Sequence, residues 1–219
     1  KNDNLQLYAL DQIRFEKPLP IQTLMAYSDS GQVADLTGKI TTEGKLEWIA
    51  PPGNWTIYAL FEGWHGKMSE RAGPGGEGDV IDHFSGRAID NYLKHFDTIF
   101  KDYDIKSLRG YFNDSYEVDD ASGQADWTND LFYEFNLRRG YELRYNLPAL
   151  FQKDDPDKNS RVLSDYRQTI SDLILEKFTS QWTGWAHKQG KTTRNQAHGS
   201  PGNILDLYAA HDIPETEGK

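Results

Sequence analysis

Cysteine is missing from all 219 residues, which removes a disulfide framework, a thiolate metal site and a cysteine nucleophile together. Basic residues are in deficit: 24 Lys and Arg against 34 Asp and Glu leave a formal net charge of −10. No Lys/Arg-rich stretch breaks that balance, so nucleic acid, whose phosphates need clustered cations, is not an expected partner. No apolar run approaches the roughly 20 residues that span a bilayer, so membrane insertion is not expected either. The start, Lys1-Asn-Asp-Asn4, is no signal peptide and reads as the middle of a gene. Several catalytic motifs are also missing. No Gly-x-Ser-x-Gly elbow supports serine hydrolase chemistry, and the six histidines include no His-Glu-x-x-His pair for a catalytic zinc. The glycine-rich run Arg71 to Gly78 lacks the Lys-Ser/Thr ending of a phosphate loop, so its glycines serve turns or close approach to a ligand. There is no internal repeat and no low-complexity tract.

What is present is aromatic. Phe, Trp and Tyr make up 13% of the chain, which suits either core packing or the stacking of sugar faces on rings. The first fifty residues alternate in short β-like pieces, Leu5 to Leu10, Gln22 to Tyr27, Val33 to Leu36 and Leu46 to Ile49, with turn residues between them. That pattern predicts antiparallel hairpins, as in part of a β-sandwich. Beyond Pro51-Pro52-Gly53 the pattern changes. Trp55 to Phe61 is continuously apolar, as for a strand buried on both faces, and Ser85 caps a helix with apolar residues from Ala88 to Phe100 at helical spacing. A strand from Leu108 to Phe112 follows, then a helix from Thr128 that stops at Arg138-Arg139-Gly140. Asp154 to Ser160 reads as a polar loop, Arg161 to Gln189 as a long helix and Lys191 to Gln196 as a strand. A short helix over Asn203 to Ala210 and a strand edge from Ile213 complete the order. Strand–helix alternation of this kind predicts a parallel α/β fold, about the first half of an eight-stranded (β/α)8 barrel, over residues 53–219 behind a β-rich segment over residues 1–52.

In such a fold the chemistry lies in the loops after the strands. Four loops qualify: Trp64, His65, Arg71, Glu77, Asp82 and His83; Asn113, Asp114, Tyr116 and Glu117; Arg194, Gln196 and His198; Asp212, Glu215 and Glu217. Asp82-His83 reads equally as a helix cap with a packed imidazole, and Arg194 to His198 as a hydrogen-bonding scaffold. Asp114 and Glu117, directly after a strand, favour function over simple solvation. Asp119-Asp120 and Asp154-Asp155 read as solvated loops. Two carboxylate groups on separate strand ends are what glycosidic cleavage needs, one to give a proton and one to activate water or attack the sugar. A hard, oxygen-ligated cation such as calcium could bind the carboxylates with Asn113.

The stretches Arg71-Ala-Gly-Pro-Gly-Gly-Glu-Gly78, Asp82-His-Phe-Ser85, Asn113-Asp-Ser-Tyr-Glu117, Arg138-Arg-Gly-Tyr141, Asp165-Tyr-Arg167, Gln196-Ala-His-Gly-Ser-Pro201 and Asp212-Ile-Pro-Glu-Thr-Glu217 resemble glycoside hydrolase family 106, the α-L-rhamnosidases. The resemblance runs in order from about Trp55 to the last residue. It implies a (β/α)8 catalytic domain, inverting hydrolysis of terminal α-L-rhamnose from an oligosaccharide or glycoside, and a calcium ion that helps hold the sugar. On the matching positions Glu117 is the expected general acid, with Asp114 a second candidate, and Glu215 or Glu217 the expected base. Arg71, Asp82, His83, Asn113, Arg194, Gln196 and His198 are the expected sugar or metal contacts. Family members are much longer, so the chain is expected to be part of a larger enzyme whose remaining barrel is absent here, and a periplasmic or extracellular bacterial location is expected. The competing expectations are a non-catalytic carbohydrate-binding or scaffold fragment, and a barrel glycosidase acting on another sugar.

Overall fold

Two sheets of opposite character organise the chain. The computed structural model describes residues 19–63, 69, 74–76, 78–116, 118 and 126–216. These fall into two compact units, one drawing on 19–63 and 129–166 and the other on 69–128 and 167–216. The first unit holds the antiparallel sheet, β1 (Ile21–Ser28), β2 (Val33–Asp35) and β3 (Trp55–Phe61), in the order β2-β1-β3. β1 is central and its middle residues Thr23 to Ala26 are buried. Leu24, Ala26 and Leu36 form a core packed by Ile21, Ala34, Ile40, Trp48 and Trp55.

The apolar run Trp55 to Phe61 is a strand, but it is not buried on both faces. It pairs antiparallel with β1 from Ser28↔Trp55 to Ile21↔Phe61, and each of its residues is half-buried or exposed, none buried. An edge position in an antiparallel sheet leaves one face to solvent. Leu46 to Ile49 forms no strand; Leu46 makes a single bridge to Ile40, and the prolines at 51 and 52 cannot donate to a ladder. Leu5 to Leu10 lies outside the described residues.

The same unit contains α2 (Leu131–Arg139) and α3 (Leu147–Leu150), and it includes the start of α4 (Pro156–Leu173). α2 ends where Gly140 takes the left-handed conformation, φ 78°, and returns its N–H to the Asn136 carbonyl. α4 begins five residues earlier than its apolar periodicity indicates. The Asp155 carboxylate accepts from the Asp157 and Lys158 N–H groups, and Pro156 supplies a preset φ at the first position.

The second unit holds α1 (Gly86–Phe100), β4 (Gly110–Asn113), α5 (Ser180–Lys188), β5 (Thr192–Gln196), α6 (Ile204–Ala209) and β6 (Ile213–Glu215). Ser85 caps α1, its hydroxyl accepting from the Ala88 N–H at 3.4 Å, and Asn203 caps α6 through the Leu205 N–H at 3.1 Å. Between α4 and α5 the helix widens into a π-helical stretch, Ile174–Thr179. The three strands form a wholly parallel sheet in the order β4-β5-β6. Ile89, Leu93 and Trp182 pack beside it with Ile81, Tyr111, Phe178 and Trp185. Gly110 permits the β4–β5 contact, because a Cβ there would sit 2.5 Å from the Thr192 hydroxyl and 2.7 Å from its carbonyl oxygen. The chain is therefore mixed α/β, with one antiparallel and one parallel sheet.

The N-terminal end of the parallel sheet holds a buried imidazole. His211 Nδ1 lies 3.1 Å from the Thr183 hydroxyl and 3.2 Å from the Thr193 hydroxyl, and its ring sits 5.1 Å from Trp182. Burial pushes its pKa down to about 4, against a smaller opposing pull from Asp212. An unfolded histidine titrates near 6.5. Between those values the unfolded chain binds a proton that the folded chain refuses, so stability falls as pH drops from about 6.5 toward 4, by roughly 2–3 kcal/mol at most. We expect the denaturant midpoint to fall across this window, and to fall less in His211→Asn; equal slopes in the two proteins would refute it.

Candidate functional site

The C-terminal ends of β4, β5 and β6 meet along one edge of the parallel sheet. Register fixes which residues share a side. Phe112, Arg194 and Ile213 are partners, as are Asn113, Asn195 and Pro214, and Gln196 pairs with Glu215. Side chains alternate along a strand, so Arg194, Gln196 and Glu215 lie on the Phe112 side. Asn113 and Asn195 lie on the other, with Tyr111 and Thr193. The Tyr111 side is covered by helices, with Tyr111 4.7 Å from the Trp185 ring and 6.1 Å from Phe100. The Phe112 side is open: Phe112 is 53% and Ile213 45% exposed.

On that open side Arg194 and Glu215 form an ion pair through Nε. The Arg194 guanidinium also lies over the Phe112 ring, 5.5 Å from its centroid. Gln196 is buried beside them, and among the described residues its Oε1 has no hydrogen-bond partner. A buried acceptor of this kind calls for an explanation, and a ligand hydroxyl is one.

Asp114 is exposed at the end of β4, and its Oδ1 accepts from the Ser115 N–H at 2.8 Å. Asn113 commits its amide donors internally, to Asn195 Oδ1 at 2.8 Å and to the Asp114 carbonyl at 2.9 Å. The loops after β4 and β5 are joined by backbone: the Tyr116 N–H donates to the His198 carbonyl at 2.7 Å. Gly199, φ 79°, approaches so closely that a Cβ would lie 2.3 Å from the Tyr116 carbonyl oxygen. The His198 side chain is exposed.

Asp82 and His83 approach from the segment before α1. The Asp82 carboxylate accepts from the Phe84 N–H at 2.9 Å and from the Thr128 hydroxyl at 2.7 Å. The His83 ring packs edge-on against Tyr116 at 5.0 Å and Phe178 at 4.7 Å. Phe178 comes from the π-helical turn, a distortion found often at functional sites. Asp82 is thus not the helix cap, a place Ser85 takes, but ties the turn before α1 to Thr128, and the ring contacts place His83 against the loop that follows β4.

Asp212 does not belong with the post-strand loops. It precedes β6, where its Oδ2 accepts from the Thr193 N–H at 2.8 Å and from His187 Nε2 at 2.9 Å. These bonds hold its pKa below the usual carboxylate range and tie it to the opposite end of the sheet. Trp64, His65, Arg71, Glu77, Glu117 and Glu217 lie outside the described residues. Asn113, Asp114, Arg194, Gln196, His198 and Glu215 are all brought to one end of the sheet. Asn195 and Gly199 join the site only in the folded chain; in the sequence the signal for Asn195 is a polar residue between two others at a strand end.

An apolar hollow of about 190 Å³ lies between α1 and the parallel sheet, lined by Tyr92, Phe96, Tyr111, Trp182 and, at the strand end, Phe112 and Asn113. Among the described residues no carboxylate lines it, so it offers no carboxylate pair for glycosidic cleavage.

Comparison with known proteins bears on this arrangement. A solved rhamnosidase from Novosphingobium sp. PP1Y superposes with a TM-score of 0.69 at 27% identity, covering 87% of this chain and 19% of its own. A protein from Formosa agariphila named "Putative beta-glucuronidase" is 30% identical over 188 residues, which is 83% of this chain and 16% of that protein. The chain thus spans under a fifth of the length of either. The family model for α-L-rhamnosidase matches residues 11–217. With nearly the whole chain inside that match, this protein belongs to glycoside hydrolase family 106, the α-L-rhamnosidases.

Proposed function

We propose that the whole protein is a glycoside hydrolase that releases terminal α-L-rhamnose with inversion. The observation that carries this reading is the convergence of carboxylate-bearing loops at the C-terminal ends of β4 and β6, with β5 between them, in a chain of this family. Two strand spacings put those backbones about 9–10 Å apart. Carboxylates leaning inward from such positions suit the roughly 6.5–9.5 Å of an inverting pair better than the roughly 5–5.5 Å of a retaining one.

In this reading Glu117 is the general acid, with Asp114 the second candidate. Glu215 or Glu217 is the base that takes a proton from water. The Arg194–Glu215 pair supports Glu215, because it holds that carboxylate on the open side of the sheet. Arg71 and His198 complete the proposed sugar contacts, and Gln196 contributes its Oε1, which has no partner among the described residues. Asp82 and His83 act from behind the loop, and Asn113 through its bonds to Asp114 and Asn195.

The open side of the parallel sheet supports the view that β4, β5 and β6 belong to a (β/α)8 barrel, with Phe112, Arg194 and Ile213 facing its lumen. A β-rich segment over 1–52 followed by a barrel region within 53–219 remains part of this proposal, as does a periplasmic or extracellular location. Trp55–Phe61 goes to the β-rich part because it pairs with β1. Among the described residues no helix is long and apolar enough to cross a membrane. Calcium is the cation that the family resemblance implies. Among the described residues no three His, Asp or Glu are grouped to hold a metal, so its ligands would have to include others, and no step here runs through it.

The name of the Formosa protein favours a second reading, a glucuronidase. A glucuronide carboxylate needs a cation, and Arg194 is already paired with Glu215. A panel of nitrophenyl glycosides presented to the full-length protein separates the two. Turnover of the α-L-rhamnoside with the first-formed sugar inverted is expected; turnover of the β-glucuronide alone would replace the proposal.

A further inference from the structure

We infer that Asn195 is a positioning residue for the reaction, acting through Asn113 on the loop that carries the proton donor. The inference rests on the glycosidase reading and names the part of the site that sets the acid in place.

Register puts Asn195 on the side away from Arg194 and Glu215, and it is only 3% exposed. It therefore does not touch the sugar that those residues would face. Its Oδ1 instead accepts from Asn113 Nδ2, which also donates to the Asp114 carbonyl. One amide group thus links the end of the central strand to the first peptide of the β4 loop. The next fixed point in that loop is Tyr116, whose N–H is held by the His198 carbonyl at 2.7 Å and whose ring is packed by His83 at 5.0 Å. Glu117 follows directly. The chain leading to the proposed acid is therefore held at residues 113, 114 and 116; the holds on 113 and 116 come from neighbouring elements, and the one on 114 comes from Asn113 itself.

The chemical requirement explains the arrangement. A general acid must sit within hydrogen-bond reach of the leaving oxygen, and a displacement near 1 Å can cost on the order of a hundredfold in rate. Loops drift more than strands, whereas β5 is paired on both sides and is the stiffest available anchor. The role needs an acceptor at Asn195 that matches the Asn113 donor. Aspartate keeps that acceptor and adds a charge; alanine removes it.

The test is kinetic, in the full-length protein with nitrophenyl α-L-rhamnoside, after thermal melts confirm that each variant folds. Asn195→Ala should lower kcat by about 10- to 100-fold with KM within a few-fold of wild type. Asn195→Asp should recover most of kcat and move the alkaline limb of the pH profile upward, because added negative charge favours the protonated acid. Asn113→Ala should cost a similar factor, and the double variant no more than either single one, since both break the same link. A kcat within twofold of wild type for Asn195→Ala, a loss carried by KM, or additive losses would overturn the inference.

Hydrogen exchange at the Tyr116 amide provides an arm that does not need turnover. Asn195→Ala should speed it about tenfold or more, and an unchanged rate overturns the positioning role. If wild type turns over no rhamnoside, the functional reading fails while this arm still decides the structural one.

Discussion

Glu117→Gln is expected to lower rhamnoside turnover in the full-length protein by about 10²- to 10⁴-fold, and the size of the loss should depend on the leaving group. A nitrophenolate departs with little help, so it should lie near the smaller factor. An alkyl alcohol cannot depart as its alkoxide, so it should lie near the larger. Glutamine keeps the shape and the hydrogen-bonding capacity of glutamate but has no acidic proton to give. Replacement of the base has another signature. Glu215→Gln, or Glu217→Gln if that residue is the base, should reduce both substrates by a similar factor, because activation of water does not depend on the aglycone. Azide needs no deprotonation, so it should restore turnover to the base variant and not to Glu117→Gln. A leaving-group-independent loss in Glu117→Gln, or retained activity, would remove Glu117 from the acid role and leave Asp114 to be tested in its place.

Gly199→Ala is expected to be the most damaging substitution of a single small residue at this end of the sheet. Two costs act together. The φ of 79° is one that an L side chain rarely adopts, and the new methyl would stand 2.3 Å from the Tyr116 carbonyl oxygen, which no rotamer change can relieve because that neighbour is backbone. The first cost is about 1 kcal/mol, and the total, about 3 kcal/mol, corresponds to a melting temperature lower by roughly 6–12 °C for a chain of this size. The loop after β4 must also retreat from β5, so kcat should fall at least about tenfold in any protein that still folds. Gly140→Ala isolates the contact. Gly140 has nearly the same φ, 78°, with nothing within 4 Å of its would-be Cβ, so it bears the backbone cost alone. Equal destabilisation by the two substitutions would show that the close approach of the β4 and β5 loops does not matter.

Much of the local structure is legible in the chain itself. Ser85 and Asn203 are N-caps because a short oxygen-bearing side chain there satisfies an otherwise unpaired helix N–H. Gly140 ends α2 because it can take a left-handed turn. The strands at 110–113 and 192–196 follow from apolar or β-favouring residues between breakers. Two expectations failed for one shared reason, that sequence does not say which neighbour a strand will have. Trp55 to Phe61 is apolar enough for a buried parallel strand, yet it became the edge of an antiparallel sheet because β1 offered a matching partner. Asp212 looks like part of the terminal acidic cluster, yet it lies before β6 and bonds to the start of β5.

The lack of thiol chemistry, the acidic charge balance, the family motifs and the supply of carboxylates after strand-like runs are all written in composition and short-range pattern, which are properties of the chain alone. Tertiary structure decided which of those carboxylates share an end, that Arg194 meets Glu215, and that Asn113 is tied to Asn195 from 82 residues away. Those outcomes depend on strand order and register, where a shift of one residue sends every side chain to the opposite side of the sheet.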